Sequence, residues 1–134
     1  MVVDASVLHA AILEPSGAAM RALLAAPTLQ APDLVVLEVA SSLRNRVLRS
    51  QLSEAAAGTA LARLHRLPVL RHPLMPLLDR VWELRGNLTP YDAAYVALAE
   101  HLRMPLLTAD AGIAGATGVR CKVRHVRLEK NATQ

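Results

Sequence analysis

Residues 88–110 begin Leu88-Thr89-Pro90-Tyr91-Asp92-Ala93-Ala94-Tyr95-Val96-Ala97-Leu98-Ala99 and end Leu106-Leu107-Thr108-Ala109-Asp110. Thr89-Pro90-Tyr91-Asp92 is an explicit helix start, with Thr at the N-cap, Pro at the first helical position and an acid in the first turn. Ala94, Leu98 and Leu102 carry the helix along one face, and Pro105 ends it. Leu106-Leu107-Thr108 then reads as a short buried strand, which Ala109-Asp110-Ala111-Gly112 turns into another short helix. A helix that runs straight into an apolar strand and out again is part of a βαβ unit.

The same alternation extends in both directions. Val2-Val3 begins a strand ending near Asp4, and a helix follows until the break at Glu14-Pro15-Ser16-Gly17. A second helix starts near Ser16, and Thr28 to Gln30 gives a short strand stopped by Pro32. Asp33 is a good N-cap for a helix to about Ser50, with Val36, Ala40, Leu43 and Val47 facing the core at helical spacing. Ser53 caps the next helix, Pro68 to Leu70 gives a strand, and Leu74 to Arg85 a helix stopped at Gly86-Asn87. The last strand is Lys122 to Val126. The expected fold class is therefore α/β, a mainly parallel sheet with helices on both faces, in a single domain spanning residues 1–134.

Composition narrows the function. Hydrophobic residues make up 53% and charged residues 19%, which excludes a disordered chain. A lone cysteine, Cys121, excludes a disulfide framework and a multi-Cys zinc site; in a strand-like run it reads as a small buried hydrophobe. No apolar run approaches the roughly 18 residues that span a bilayer. The start lacks a basic region and is interrupted by Asp4, so no signal peptide is expected and the cytoplasm is the expected location. The net charge of +4 is local. Arg120, Lys122, Arg124, Arg127 and Lys130 against Glu129 supply the whole excess, while residues 1–119 sum to zero. Such a stretch suits nucleic acid or an acidic partner, or a solvated edge strand.

Four acids sit in apolar surroundings. Asp4, Glu38, Asp92 and Asp110 each lack a charged residue within four positions. Asp92 doubles as the acid of a capping box. Glu38 is placed more than a turn into its helix, at the head of a stripe that turns polar through Ser41, Ser42 and Asn45. Asp4 and Asp110 follow strands, at the carboxyl edge where open α/β sheets bind ligands. Carboxylates that converge there cannot all ionise without a cation between them. Oxygen ligands without His or Cys select Mg²⁺ or Mn²⁺, ions that serve phosphodiester hydrolysis.

These residues resemble the PIN-domain ribonucleases, specifically the VapC-type toxins of bacterial toxin–antitoxin pairs. The resemblance rests on Val3-Asp4-Ala5-Ser6, Glu38-Val39-Ala40-Ser41-Ser42-Leu43-Arg44, the block from Leu88 to Ala99, and Leu107-Thr108-Ala109-Asp110. It implies a three-layer α/β/α sandwich and a Mg²⁺- or Mn²⁺-dependent endoribonuclease. By position it makes Asp4, Glu38, Asp92 and Asp110 the acidic catalytic and metal-binding quartet. Asp4 and Asp92 would contact the ion directly; Glu38 and Asp110 would complete the site and help position the attacking water. Ser6 and Thr108 match hydroxyl positions that brace the carboxylates. The resemblance further implies an RNA substrate, an antitoxin covering the site, a homodimer and no membrane.

Two other readings compete. The basic stretch and the Arg44, Arg46, Arg49 run also suit a non-catalytic RNA- or protein-binding module. A metal-dependent phosphatase on a related fold is disfavoured, because Asp4 is followed by Ala5-Ser6 and not by a second Asp. His9, His65, His72, His101 and His125 show no paired-ligand spacing, and no Gly-rich phosphate loop is present.

Overall fold

The computed structural model describes residues 1–128; Glu129 and Lys130 of the basic stretch lie outside the described residues. Five strands, β1 (Val2–Val3), β2 (Leu29–Pro32), β3 (Val69–His72), β4 (Leu106–Thr108) and β5 (Val123–His125), pair in parallel in the order β3-β2-β1-β4-β5. The helices are α1 (Ala5–Leu13), α2 (Ala18–Ala25), α3 (Val35–Leu48), α4 (Glu54–Arg66), α5 (Leu78–Glu83), α6 (Pro90–Leu102) and α7 (Ala111–Ala114). Strand order fixes the layers. The connections from β1 to β2 and from β2 to β3 step one way across the sheet, and the connection from β3 to β4 steps back. Right-handed crossovers therefore put α1 to α4 on one face and α5 and α6 on the other, a three-layer α/β/α sandwich. The strand order reverses between β1 and β4, and the crevice beyond their carboxyl ends is the ligand position of such sheets.

The core is aliphatic. Val2, Val3, Val7, Leu8, Ile12, Leu98 and Leu106 are fully buried around the central strands. All seven residues from Ala93 to Ala99 on α6 are buried, because this helix lies across the middle of the sheet and is covered on every side.

Four local expectations are corrected. Helix α3 starts one residue late, with Leu34 at its N-cap, because the Asp33 N–H donates to His72 O at 2.8 Å and keeps Asp33 with the strands. Its buried face is Val35, Val39 and Leu43, while Val36 and Ala40 are exposed and Val47 is half-buried. The expected helix from Leu74 is a 3₁₀ turn at Met75–Leu77 followed by α5, the turn being closed by Leu77 N–H to Leu74 O at 2.9 Å. Cys121 is half-buried.

Candidate active site

Each of the four isolated acids stands at the start of a helix. Asp4 leaves β1 and caps α1, accepting from the Val7 N–H at 3.2 Å. Asp110 follows β4 and caps α7, accepting from the Gly112 N–H at 2.7 Å. Asp92 lies in the first turn of α6, where its N–H donates to Thr89 Oγ1 at 3.2 Å. Glu38 lies in the first turn of α3, which corrects its placement deeper in that helix. The partial positive charge at helix N-termini favours carboxylates there.

The structure brings the four together electrostatically. Asp110 and Asp4 act on Asp92, Asp92 and Asp4 act on Glu38, and Asp110 acts on Asp4. Asp4 is buried, Glu38 and Asp92 are half-buried, and Asp110 is exposed. Burial pushes the Asp4 carboxyl above the usual carboxylate range, opposed by hydrogen bonds from Ser6, Thr108 and the Val7 N–H and reinforced by Asp110. Glu38 is raised by burial and then by Asp92 and Asp4, against the hydrogen bond from Tyr95. Asp92 is raised by burial and then by Asp110 and Asp4, against Thr89. Among the described residues no Arg or Lys forms an ion pair with any of the four. Their charge is left to burial, helix ends and hydrogen bonds.

Hydroxyl groups hold Asp4 in place. Ser6 Oγ donates to Asp4 Oδ1 at 2.6 Å and accepts from the Ala109 N–H at 2.9 Å. Thr108 Oγ1 donates to Asp4 Oδ2 and accepts from the Asp110 N–H at 2.9 Å. Both hydroxyls tie the end of β1 to the end of β4, so the two expected bracing residues join the strands that flank the switch point. Tyr95 is the residue the sequence reading missed: its hydroxyl donates to Glu38 Oε1. A Tyr amid an apolar helix was the available signal, since a buried phenol needs an acceptor.

The donor set is four carboxylates without His or Cys, the chemistry of a site for a hard divalent cation. Among the described residues, no three such side chains are close enough to hold an ion as they stand. Asp4 is held by Ser6, Thr108 and the Val7 N–H, and Glu38 by Tyr95, so any closing around an ion would fall to Asp92 and the exposed Asp110.

A family model described as PIN domain matches residues 1–118. The VapC ribonuclease Mb0985 of Mycobacterium bovis is 44% identical over 123 residues, covering 92% of this chain and 95% of the relative. Ribonuclease VapC1 of Mycobacterium tuberculosis is 42% identical over 129 residues, covering 94% and 97%. The crystal structure of PAE2754 from Pyrobaculum aerophilum superposes with a TM-score of 0.67 at 29% identity, covering 91% of this chain and 81% of that one.

Proposed function

The chain belongs to the PIN-domain family, and from that premise we propose that it is a metal-dependent endoribonuclease, the toxin of a VapBC-type toxin–antitoxin pair. The observation that carries this reading is the gathering of Asp4, Glu38, Asp92 and Asp110 at four helix starts around the sheet's switch point, with no basic partner among the described residues. The likeness to relatives named as VapC ribonucleases over nearly their whole length supports the same activity.

In this reading Asp4 and Asp92 are the direct ligands of Mg²⁺ or Mn²⁺, and Glu38 and Asp110 complete the site. When bound, the ion would neutralise charge at the phosphate and would make a water easier to deprotonate for the attack. The protein's own groups do the remaining work. Ser6 and Thr108 hold both Asp4 oxygens in fixed directions, so the most buried carboxylate needs no reorganisation. Glu38 and Asp110 accept hydrogen bonds from the attacking water and orient it. RNA is the substrate. The partner is an antitoxin covering the site, in an assembly that includes a toxin homodimer. The domain spans residues 1–134, and the place of action is the cytoplasm. No helix among the described residues is long and apolar enough to cross a membrane.

The test is cleavage of total cellular RNA by the purified chain, shown first to be free of antitoxin. Mg²⁺ or Mn²⁺ should give discrete fragments that vanish with excess EDTA and with Asp4→Asn or Asp92→Asn, both variants remaining folded. Undiminished turnover in both variants would overturn the assignment. RNA left intact but bound, in a salt-sensitive way that survives chelation, would favour the binding module instead.

A further inference from the structure

We propose that Tyr95 is a positioning residue of the acidic site, clamping the Glu38 carboxylate from behind so that one oxygen is held and the other is presented to the bound cation. This rests on the metal-site reading above and goes beyond it, since Tyr95 is not among the four acids or their hydroxyl braces. The geometry has three parts. Tyr95 lies one turn beyond Asp92 on α6, and its side chain is almost wholly buried, at 1% exposure. Its hydroxyl donates to Glu38 Oε1 on α3. Glu38 Oε2 makes no hydrogen bond among the described residues.

One phenol thus links α6, which carries Asp92, to Glu38 on α3. At neutral pH a phenol keeps its proton, so its hydroxyl is the donor to the carboxylate. Without it Glu38, a half-exposed side chain with three rotatable bonds to its carboxylate, would be free to swing into solvent. A buried Tyr that merely needed an acceptor would accept any carboxylate position. A clamp requires this one, and that difference is measurable.

The experiment is Mn²⁺ binding to the purified chain, read from the electron paramagnetic resonance signal of the free ion, with thermal unfolding as the check on folding. Wild type is compared with Tyr95→Phe, Glu38→Gln, the double variant and Glu38→Asp. A ligand's outer hydrogen-bond partner typically contributes about 10- to 100-fold in metal affinity, so Tyr95→Phe should weaken Mn²⁺ binding about tenfold. In the Glu38→Gln background, adding Tyr95→Phe should weaken it no more than about twofold further, because the clamp acts only through the carboxylate. Glu38→Asp keeps the charge, shortens the reach to Tyr95 and leaves the core untouched, so it too should bind Mn²⁺ about tenfold more weakly. That variant decides the matter if Tyr95→Phe fails to fold. Wild-type affinity in Glu38→Asp or in folded Tyr95→Phe would overturn the clamp and leave the metal site standing, as would full additivity in the double variant. Wild-type binding no tighter than that of Asp4→Asn would overturn the metal site itself and the clamp with it.

Discussion

Replacing Thr108 with Val tests the site through its bracing and leaves all four acids in place. Thr108 is fully buried at the end of β4. Its hydroxyl donates to Asp4 Oδ2 and accepts from the Asp110 N–H at 2.9 Å. Val has nearly the same shape, so the loss is of polar contacts. A hydrogen bond to an ionised acceptor is worth about 1.5–3 kcal/mol, and the bond from the Asp110 N–H about 1 kcal/mol less whatever water restores. The expected destabilisation is about 2–4 kcal/mol at pH 8. Its pH dependence identifies the cause. Burial already holds the Asp4 carboxyl above its ordinary range, and the Thr108 bond is among those pulling it down. That bond favours the ionised form, so its loss costs most where wild-type Asp4 is ionised. As pH falls, Asp4 becomes neutral in both proteins and the difference shrinks. Urea unfolding at pH 8 and pH 5, with an unchanged dependence on denaturant, measures both numbers. Thr108→Ser retains the hydroxyl and should recover most of the loss. A deficit below about 0.5 kcal/mol at pH 8, within the range of an ordinary surface change, would refute the bracing role. So would a deficit that is the same at both pH values.

Other outcomes follow from the same electrostatics. The carboxyls of Asp4, Glu38 and Asp92 are raised in the fold from ordinary values of 3.8, 4.5 and 3.8, so each costs stability as pH rises from its unfolded value through its folded one. Asp92→Asn removes one of them and should raise the metal-free melting temperature at pH 8, by on the order of 1 kcal/mol or a few degrees, while changing it little at pH 4. A lower melting temperature at pH 8 would contradict the repulsion. Protons compete with metal for the same raised carboxyls, so saturating Mn²⁺ should stabilise the wild type more at pH 8 than at pH 5.5; the reverse order in a thermal shift would count against the site. Gly112→Ala places a Cβ 3.0 Å from Asp110 Oδ1, the oxygen that Gly112 N–H now holds at 2.7 Å. Displacing that carboxylate should slow RNA cleavage about tenfold with only a small drop in melting temperature, and an unchanged rate would remove Asp110 from the working site.

The sequence is most legible where local chemistry acts alone. Thr89-Pro90-Tyr91-Asp92 begins α6 as read, Ser53 caps α4 with a bond from the Ala56 N–H at 3.1 Å, and the strands around Asp4 and Asp110 stand where alternation put them. Helix α3 shows the limit. Val35-Val36 and Val39-Ala40 are adjacent apolar pairs, so a 3.6-residue period fits two faces one residue apart. Packing against α1 and α4 selects Val35 and Val39. The charged end of the sheet is consistent with the blander of two readings, since β5 is an edge strand carrying the exposed Arg124. Isolation alone did not single out the four acids, since Glu14, Asp33 and Glu54 are equally isolated from other charges; the places of Asp4 and Asp110 after strands and the match of all four to a family pattern did. The contact between Glu38 and Tyr95 was not legible, because 57 residues separate them and nothing local on either helix points to the other.

The sheet order has a consequence for when the site can exist. β1 is central, and Asp4 depends on Thr108, which lies 104 residues further along the chain. A growing polypeptide lengthens at roughly 5–20 residues per second, so about 5–20 s pass between the making of one and of the other. Through that interval the first strand lacks its β4 neighbour, and the buried carboxylate lacks its Thr108 brace. An enzyme that cuts RNA is made on a machine built largely of RNA. With its acids and braces divided between the first forty residues and residues 92–110, the centre cannot assemble before that later stretch has been made.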